Sequence, residues 1–284
     1  MPSLVGSEMC IRDSYNCACV IENKKILGFY AKNHLANEGV HYETRWFTSW
    51  NFEKEAILKD EYPIGKPIYN IQGHKIGIEI CEDAWRKERP ADNYGQVDFI
   101  FNPSASHFAF EKTKIRQDIV QQSSINYNCT YVYANLLGNE AGRMVYDGEI
   151  LIAKKGDFYQ QNTRFSYQNI NLITHNFTES SPIELNDFSK NEEFPKAVGL
   201  ALFDYLRKSW SKSFILSLSG GADSSACAVL VAYMVRTAIQ ELGIELFNTK
   251  INLTFSIEEI QELKNKSIEN QAKQACNKLL ITAY

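Results

Sequence analysis

Residues 75–86 read KIGIEICEDAWR. Ile76, Ile78 and Ile80 alternate with Gly77 and Glu79, the period-two pattern of a half-buried strand. The strand runs straight into Cys81, so it ends on a thiol with Glu82, Asp83 and Trp85 just beyond. Upstream, residues 68–71 mirror it across a turn at Gln72-Gly73 and predict a strand pair. Downstream, residues 97–101 (VDFIF) form a short apolar strand that stops at Asn102-Pro103. Residues 111–127 have helical polarity, with Ile115, Ile119 and Ile125 spaced for a buried face. Residues 130–135 (TYVYAN) read as another strand, and 145–154 with 158–160 as a closing hairpin. Working back toward the N-terminus, 17–22 and 25–30 form a hairpin around Asn23-Lys24, followed by an aromatic-rich loop over 32–47. Strand–loop–strand–helix alternation predicts an α/β layered domain.

The chain has 284 residues, enough for two domains of roughly 100–200 residues. Hydrophobic residues make up 44% and charged residues 23%, ordinary for a globular protein. A net charge of −4 gives no reason to expect a nucleic-acid partner. No apolar run reaches the roughly 18 residues of a membrane span; residues 226–235 read as a buried helix, so no membrane is expected. The seven cysteines are odd in number and scattered, which points to packed thiols in a reducing compartment, the cytoplasm. Residues 1–14 (MPSLVGSEMCIRDS) have neither a signal-peptide layout nor a structural period, and are read as a non-native leader.

The pattern dissolves over 175–193 into Asn, Ser, Thr, Glu and Asp, a linker composition. A second unit, 194–284, follows. Phe194, Val198, Ala201, Leu202 and Tyr205 fall on one helical stripe. A short strand over 214–218 leads into a Gly-rich turn and a helix over about 223–242. Ser256 and Glu259 form a capping box for a last helix reaching about Leu279. One strand with three helices cannot complete a parallel sheet, so this domain is expected to be truncated.

The turn reads Ser217-Leu218-Ser219-Gly220-Gly221-Ala222-Asp223-Ser224-Ser225. Glycines let backbone N–H groups turn inward at a helix N-terminus, which suits a phosphate. Ser219, Ser224 and Ser225 add hydroxyls, and Asp223 could hold a phosphate-bridging metal. A plain Gly-rich turn with an N-cap is the alternative reading. No Lys-Ser/Thr ending is present, so this is not a Walker loop. The segment resembles the SGGxDS signature of the N-type ATP pyrophosphatases. That resemblance implies that Ser219, Gly220, Gly221, Asp223, Ser224 and Ser225 bind ATP, with Asp223 on Mg²⁺.

A Cys at a strand–helix junction suits a nucleophile, because nearby helix N–H groups lower a thiol pKa. GIEICEDAWR around Cys81, Lys32-Asn33-His34-Leu35 with the segment from Tyr42 to Phe47, and Asn102-Pro103-Ser104-Ala105-Ser106 together resemble the nitrilase superfamily of amidases. The three segments stand in that family's order and cover most of 15–174. The resemblance implies a nitrilase-like αββα sandwich, incomplete at its N-terminus, with Cys81 as nucleophile. It implies Lys32 as oxyanion stabiliser and Glu43 as a bracing carboxylate. Glutamine would be gripped by Glu82, Trp85, Ser106 and Lys112. The family's general-base glutamate lies well upstream of the lysine. Only 31 residues precede Lys32, and Glu8 and Glu22 are not suitable candidates.

A nitrilase-type amidase followed by the start of a doubly wound ATP-pyrophosphatase domain resembles the glutamine-dependent NAD(+) synthetase family. The resemblance implies glutamine, ATP with Mg²⁺ and deamido-NAD as substrates, and a homo-oligomer for the full-length protein. It also implies that this chain is an inactive fragment. A stand-alone amidase and a non-catalytic binding or assembly fragment are the alternatives. ATP binding separates the first alternative, and glutamine-dependent NAD formation the second.

Overall fold

The computed structural model describes residues 14–51, 56–58, 61–65, 67–140, 142–176 and 181–283. The leader expected at 1–14 lies, apart from Ser14, outside the described residues. The N-terminal hairpin forms as expected from β1 (Cys17–Glu22) and β2 (Lys25–Ala31). Both turn residues, Asn23 and Lys24, have positive φ, which matches the twist of a two-residue hairpin loop. β3 (Ala56–Leu58) and β4 (Tyr62–Ile64) widen this sheet in the order β1-β2-β4-β3.

The second hairpin, β5 (Ile68–Ile71) and β6 (His74–Ile78), starts the main sheet. Then come β7 (Phe99–Ser104), α1 (Lys112–Asn126), β8 (Thr130–Asn135), β9 (Leu137–Glu140), β10 (Met144–Asp147), β11 (Ile150–Lys154) and β12 (Asp157–Gln161). The six-stranded order is β12-β11-β8-β7-β6-β5, with β6, β7 and β8 parallel at its centre. β7 runs on through Asn102-Pro103, where the sequence suggested a stop. Pro103 is tolerated because β6 pairs with β7 only as far as Phe101, so the missing N–H costs no ladder bond on that side.

Each face of this sheet has its own core. Ile100, Tyr131, Tyr133 and Leu151 pack with Val120 of α1. Ile78 and Ile80 pack on the other face with Val20 and Tyr30 of the first sheet. Gly77 faces the α1 side, where a Cβ would lie 2.6 Å from the Tyr94 ring; only a bare backbone fits.

The buried face of α1 differs from the expected one. Ile115 is 50% exposed and Ile125 48%, whereas Thr113, Arg116, Gln117, Val120, Ser123 and Ser124 are buried. The cause is a buried ion cluster. Arg116 pairs with Asp147 and lies 2.9 Å from Glu149. Arg164 lies 3.6 Å from Asp147 and 2.7 Å from Glu193. A buried guanidinium is tolerated only when paired, so the arginine stripe, and not the isoleucine stripe, faces inward.

The C-terminal elements are α2 (Lys190–Ser209), β13 (Phe214–Ser217), α3 (Ala222–Lys250), α4 (Ile257–Lys264), α5 (Ile268–Leu279) and β14 (Leu280–Ala283). Four expectations need correction. The inward stripe of α2 is Glu193, Ala197, Leu200, Phe203 and Leu206, while Phe194 and Tyr205 face water. The last helix is two helices, though the Ser256–Glu259 capping box starts α4 as expected. β14 pairs in parallel with β13, so two strands of a parallel sheet are present where one was counted. α3 is also long and apolar enough, by length and composition, to cross a membrane, contrary to the sequence reading. Its Val231, Met234, Val235, Ala238 and Ile239 share a core with Leu200, Phe203 and Leu206 of α2, and Gly243 breaks it with φ 76°. That packing buries one stripe of α3, and 33% of its apolar window is buried.

Two guanidinium groups face three carboxylates in the cluster, so one acid carries unbalanced charge. Burial, with Asp147 adding to it, pushes Glu149 up to about 7. A folded-state value above the unfolded one means the contribution to stability is complete below the ordinary glutamate range and is lost as pH rises through about 7. Urea unfolding between pH 5 and 8 is therefore expected to show native stability falling relative to Glu149→Gln. Parallel curves for the two proteins would refute this.

Candidate active site

In open α/β sheets, binding sites form at the carboxyl ends of parallel strands. Here β6 leads to Cys81, β7 to Ser104 and Ser106, and β8 to Asn135. Cys81 has φ +46°, uncommon for a residue with a side chain, and opens a short 3-10 turn that runs to Trp85. Its N–H donates to Asn102 Oδ1 (3.1 Å), which also accepts from Ser104 Oγ (2.6 Å). Asn102 Nδ2 donates to the Tyr131 hydroxyl (2.9 Å). The strained thiol is thus held by a side chain that is itself fixed.

Lys32 follows β2 directly, and its side chain is 2% exposed. Its Nζ lies 2.5 Å from Glu43 Oε2. Glu43 also accepts from Asn16 Nδ2 (3.0 Å) and from Ala36 N (2.6 Å). Burial pushes the Cys81 thiol up. The Lys32 charge and hydrogen bonds from the Ala105 backbone and the Ser104 hydroxyl pull it back. The structure therefore brings Cys81, Lys32 and Glu43 into one electrostatic unit, with a thiol that stays protonated at rest.

The other expected residues ring this unit. Glu82, pushed up by burial, pairs with Arg86 at 2.8 Å. Lys112 Nζ stands 5.5 Å from the centre of the Trp85 ring. Burial and Arg116 push Lys112 down, while Cys81 and Glu82 pull it up, so it faces both. Ser106 is buried, and its hydroxyl has no hydrogen-bond partner among the described residues. Its backbone is clamped by the Asn135 amide at both N–H (2.8 Å) and C=O (2.9 Å).

Three features escaped the sequence reading. His41 Nε2 and His107 Nδ1 lie 2.8 Å apart and join the loop after β2 to the segment after β7, beside Lys112. Burial and Lys112 push both histidines down, His107 to about 4, so the pair is neutral at pH 7. Asn135 anchors Ser106 as described. Asp83 is wholly buried and accepts four hydrogen bonds, from Tyr30 Oη, Asn33 N, His34 N and Ile80 N. The signal for Asp83 was faint: a carboxylate two residues past the thiol, with distant partners.

The Gly-rich loop lies at the junction of β13 and α3. Gly220 has φ +80° with open space around a Cβ position. Gly221 precedes the first turn of α3. Ser219 Oγ and Ser224 Oγ lie 3.3 Å apart, and Ser225 Oγ donates to Gly221 O (2.8 Å). Asp223 is exposed in the first turn of α3. Among the described residues no cluster of three His, Cys, Asp or Glu side chains forms a ready metal cage.

The chain belongs to the carbon-nitrogen hydrolase family, whose profile matches residues 7–178. Its sheet-and-helix architecture is the nitrilase-like fold. The chain is similar to glutamine-dependent NAD(+) synthetases. The Bos taurus protein is 27% identical over 334 residues, covering 93% of this chain and 47% of that protein. The Mus musculus protein is 27% identical over 328 residues, covering 95% and 44%. A solved synthetase structure from Cytophaga hutchinsonii is 48% identical, with a TM-score of 0.84, and covers 96% of this chain and 44% of that one. The Acinetobacter baumannii synthetase, solved with ADP, shares the fold at 22% identity and a TM-score of 0.66. The chain spans less than half the length of these proteins.

Asn102→Ala would strip the Cys81 N–H and the Tyr131 hydroxyl of a buried partner. A buried polar group left unpaired costs about 2 kcal/mol. Chemical denaturation is expected to show a loss of at least that size, and a loss under about 0.5 kcal/mol, the scale of an ordinary surface change, would mean that Asn102 does not hold the Cys81 turn.

Proposed function

We propose that the full-length protein makes NAD(+) from deamido-NAD, drawing ammonia from glutamine at Cys81 and spending ATP at the Gly-rich loop. The observation that carries this reading is the buried Lys32–Glu43 pair beside a strained, partly buried thiol. The thiol attacks the glutamine amide carbon, and its proton passes to the leaving nitrogen by way of a general base. The C–N bond breaks, ammonia leaves, and a thioester remains until water cleaves it to glutamate. The Lys32 ammonium stabilises the oxyanion of each tetrahedral intermediate. Glu43, with three donors, is committed to bracing the lysine. The base is a glutamate N-terminal to Lys32 in the full-length protein, as the family resemblance implies.

Glu82, Trp85, Ser106 and Lys112 grip the glutamine head group. The free Ser106 hydroxyl and the Lys112 ammonium suit a carboxylate, and Glu82 suits an ammonium. In the second unit, Ser219, Gly220, Gly221, Asp223, Ser224 and Ser225 hold the ATP phosphates. Mg²⁺ fits Asp223 because that ion commonly takes one or two carboxylates and completes its shell with phosphate oxygens and water; when bound, it neutralises phosphate charge. ATP activates the deamido-NAD carboxylate by adenylation, pyrophosphate leaves, and ammonia displaces AMP. The full-length protein is a homo-oligomer of the cytoplasm, a compartment consistent with the free thiols of the described cysteines. The 284-residue chain alone completes neither reaction.

In the full-length protein, Cys81→Ala is expected to abolish glutamine-dependent synthesis while sparing synthesis from ammonium salts. Asp223→Ala should impair both at least tenfold. Loss of ammonia-dependent synthesis in folded Cys81→Ala protein would break the two-site reading. NAD(+) formation from glutamine by the purified 284-residue chain would overturn its assignment as an inactive portion.

A further inference from the structure

We propose that Asp83 is a positioning residue that ties the backbone carrying Lys32 to the backbone carrying Cys81 and so keeps the ammonium at the thiol. The proposal rests on the reading of Cys81 as the nucleophile. The geometry divides the carboxylate between the two segments. Oδ1 accepts from Asn33 N (3.1 Å) and His34 N (2.7 Å), the two residues after Lys32. Oδ2 accepts from Ile80 N (2.9 Å), the residue before Cys81, and from Tyr30 Oη (2.8 Å), two residues before Lys32. Asn33 Nδ2 donates to the same Tyr30 hydroxyl (3.0 Å). One buried side chain thus grips both sides of Lys32 and the approach to Cys81.

Only an ionised carboxylate satisfies this set. Two oxygens meet four donors, and each oxygen of a carboxylate can accept two. In Asp83→Asn one oxygen becomes an NH₂ group that would face two donors. The Lys32 segment is also held from elsewhere: its N–H donates to Asn16 O (2.8 Å), and its C=O accepts from Trp50 N (3.0 Å). Those bonds join it to its own sheet and loop; across to the Cys81 turn, Asp83 acts alongside the His34 Nε2–Glu88 O contact (2.8 Å) and the packing of Tyr30 on Ile78 and Ile80. Burial pushes Asp83 up to about 6, against the hydrogen bonds from Ile80, His34 and Tyr30, with Glu79 adding to the rise. The group is therefore ionised above pH 7.

The electrostatics make the proposal decidable. The charged and titratable groups that face the Cys81 thiol are Lys32, Glu43, Lys112, Tyr133 and Tyr146. Removing the negative charge of Asp83 would by itself lower the thiol pKa, since a nearby anion disfavours a thiolate. Releasing Lys32 would raise it, since a nearby cation favours a thiolate. The direction of change therefore separates a charge that merely sits nearby from one that holds Lys32 in place.

The experiment is iodoacetamide alkylation of the 284-residue chain at pH 7 to 10.5, followed at the Cys81 peptide by mass spectrometry. Its rate profile gives the thiol pKa. Lys32→Met and Asp83→Asn are each expected to raise it by about one pH unit. The double variant should rise no further than Lys32→Met alone, the mark of two residues acting through one interaction. Tyr30→Phe, which keeps the charge but removes one donor to Asp83 and the acceptor of Asn33 Nδ2, should give a smaller rise. A folded Asp83→Asn whose thiol pKa is unchanged or lower, or additive shifts in the double variant, overturns the proposal. If Asp83→Asn fails to fold, Tyr30→Phe decides, and no rise there overturns it. The functional reading fails separately: if full-length Cys81→Ala still uses glutamine while the alkylation shifts appear, the geometry stands and the amidase assignment does not.

Discussion

A lysine ammonium almost wholly removed from water must have a partner. Lys32 meets that demand with Glu43, and Glu43 in turn needs Asn16 and the Ala36 N–H to complete its shell. The loop over 32–50 is held by these bonds together with the buried side chains of Leu35, Ala36 and Trp50. The result is a positive charge at fixed position beside a thiol that burial alone would keep inert. Burial and charge oppose each other at Cys81, and the balance between them is the chemical property of the site.

A second buried electrostatic system ties the two parts of the chain. Arg116 and Arg164 link α1 and the end of the first unit to Glu193 on α2. Asn135 joins the same cluster to Ser106, donating to Asp147 Oδ1 (2.8 Å) while clamping the serine backbone. Nearby, Asn139 N donates to Asp204 Oδ2 (2.8 Å), and Glu241 on α3 accepts from Ser166 Oγ and Tyr167 N. The interface between the units is therefore a set of buried charged and polar groups around an apolar centre, with Glu149 Oε1 and Oε2 and Arg116 Nε lacking a hydrogen-bond partner among the described residues. Such groups demand particular geometry, so they fix orientation more tightly than apolar contact does.

Much of this was legible in the residues. Strand pairs announced themselves by period-two alternation and by Asn23-Lys24 and Gln72-Gly73, residues that accept or approach positive φ. The Ser256–Glu259 box and the strand–turn–helix context of the Gly-rich loop were equally local. What failed was non-local. Arg116 faces inward because Asp147, 31 residues on, waits for it, and no helical period reports that. β14 is four residues long and pairs with a strand more than 60 residues earlier, too short a run to register. The partners of Asp83 lie about 50 residues upstream apart from Ile80, so nothing near it in sequence revealed its work.

Phe165 and Tyr167, at the end of the first unit, belong to the same core as Leu200, Phe203, Met234 and Leu279. Residues 14–161 supply the strands, loops and ion pairs around Cys81, yet that core closes only when α5 arrives. During synthesis the ribosome must therefore deliver more than 100 further residues before the rear wall of the first unit is sealed. Until then an apolar surface around Phe165 stays open to the cell's chaperones, and the order in which the chain emerges sets how long it remains so.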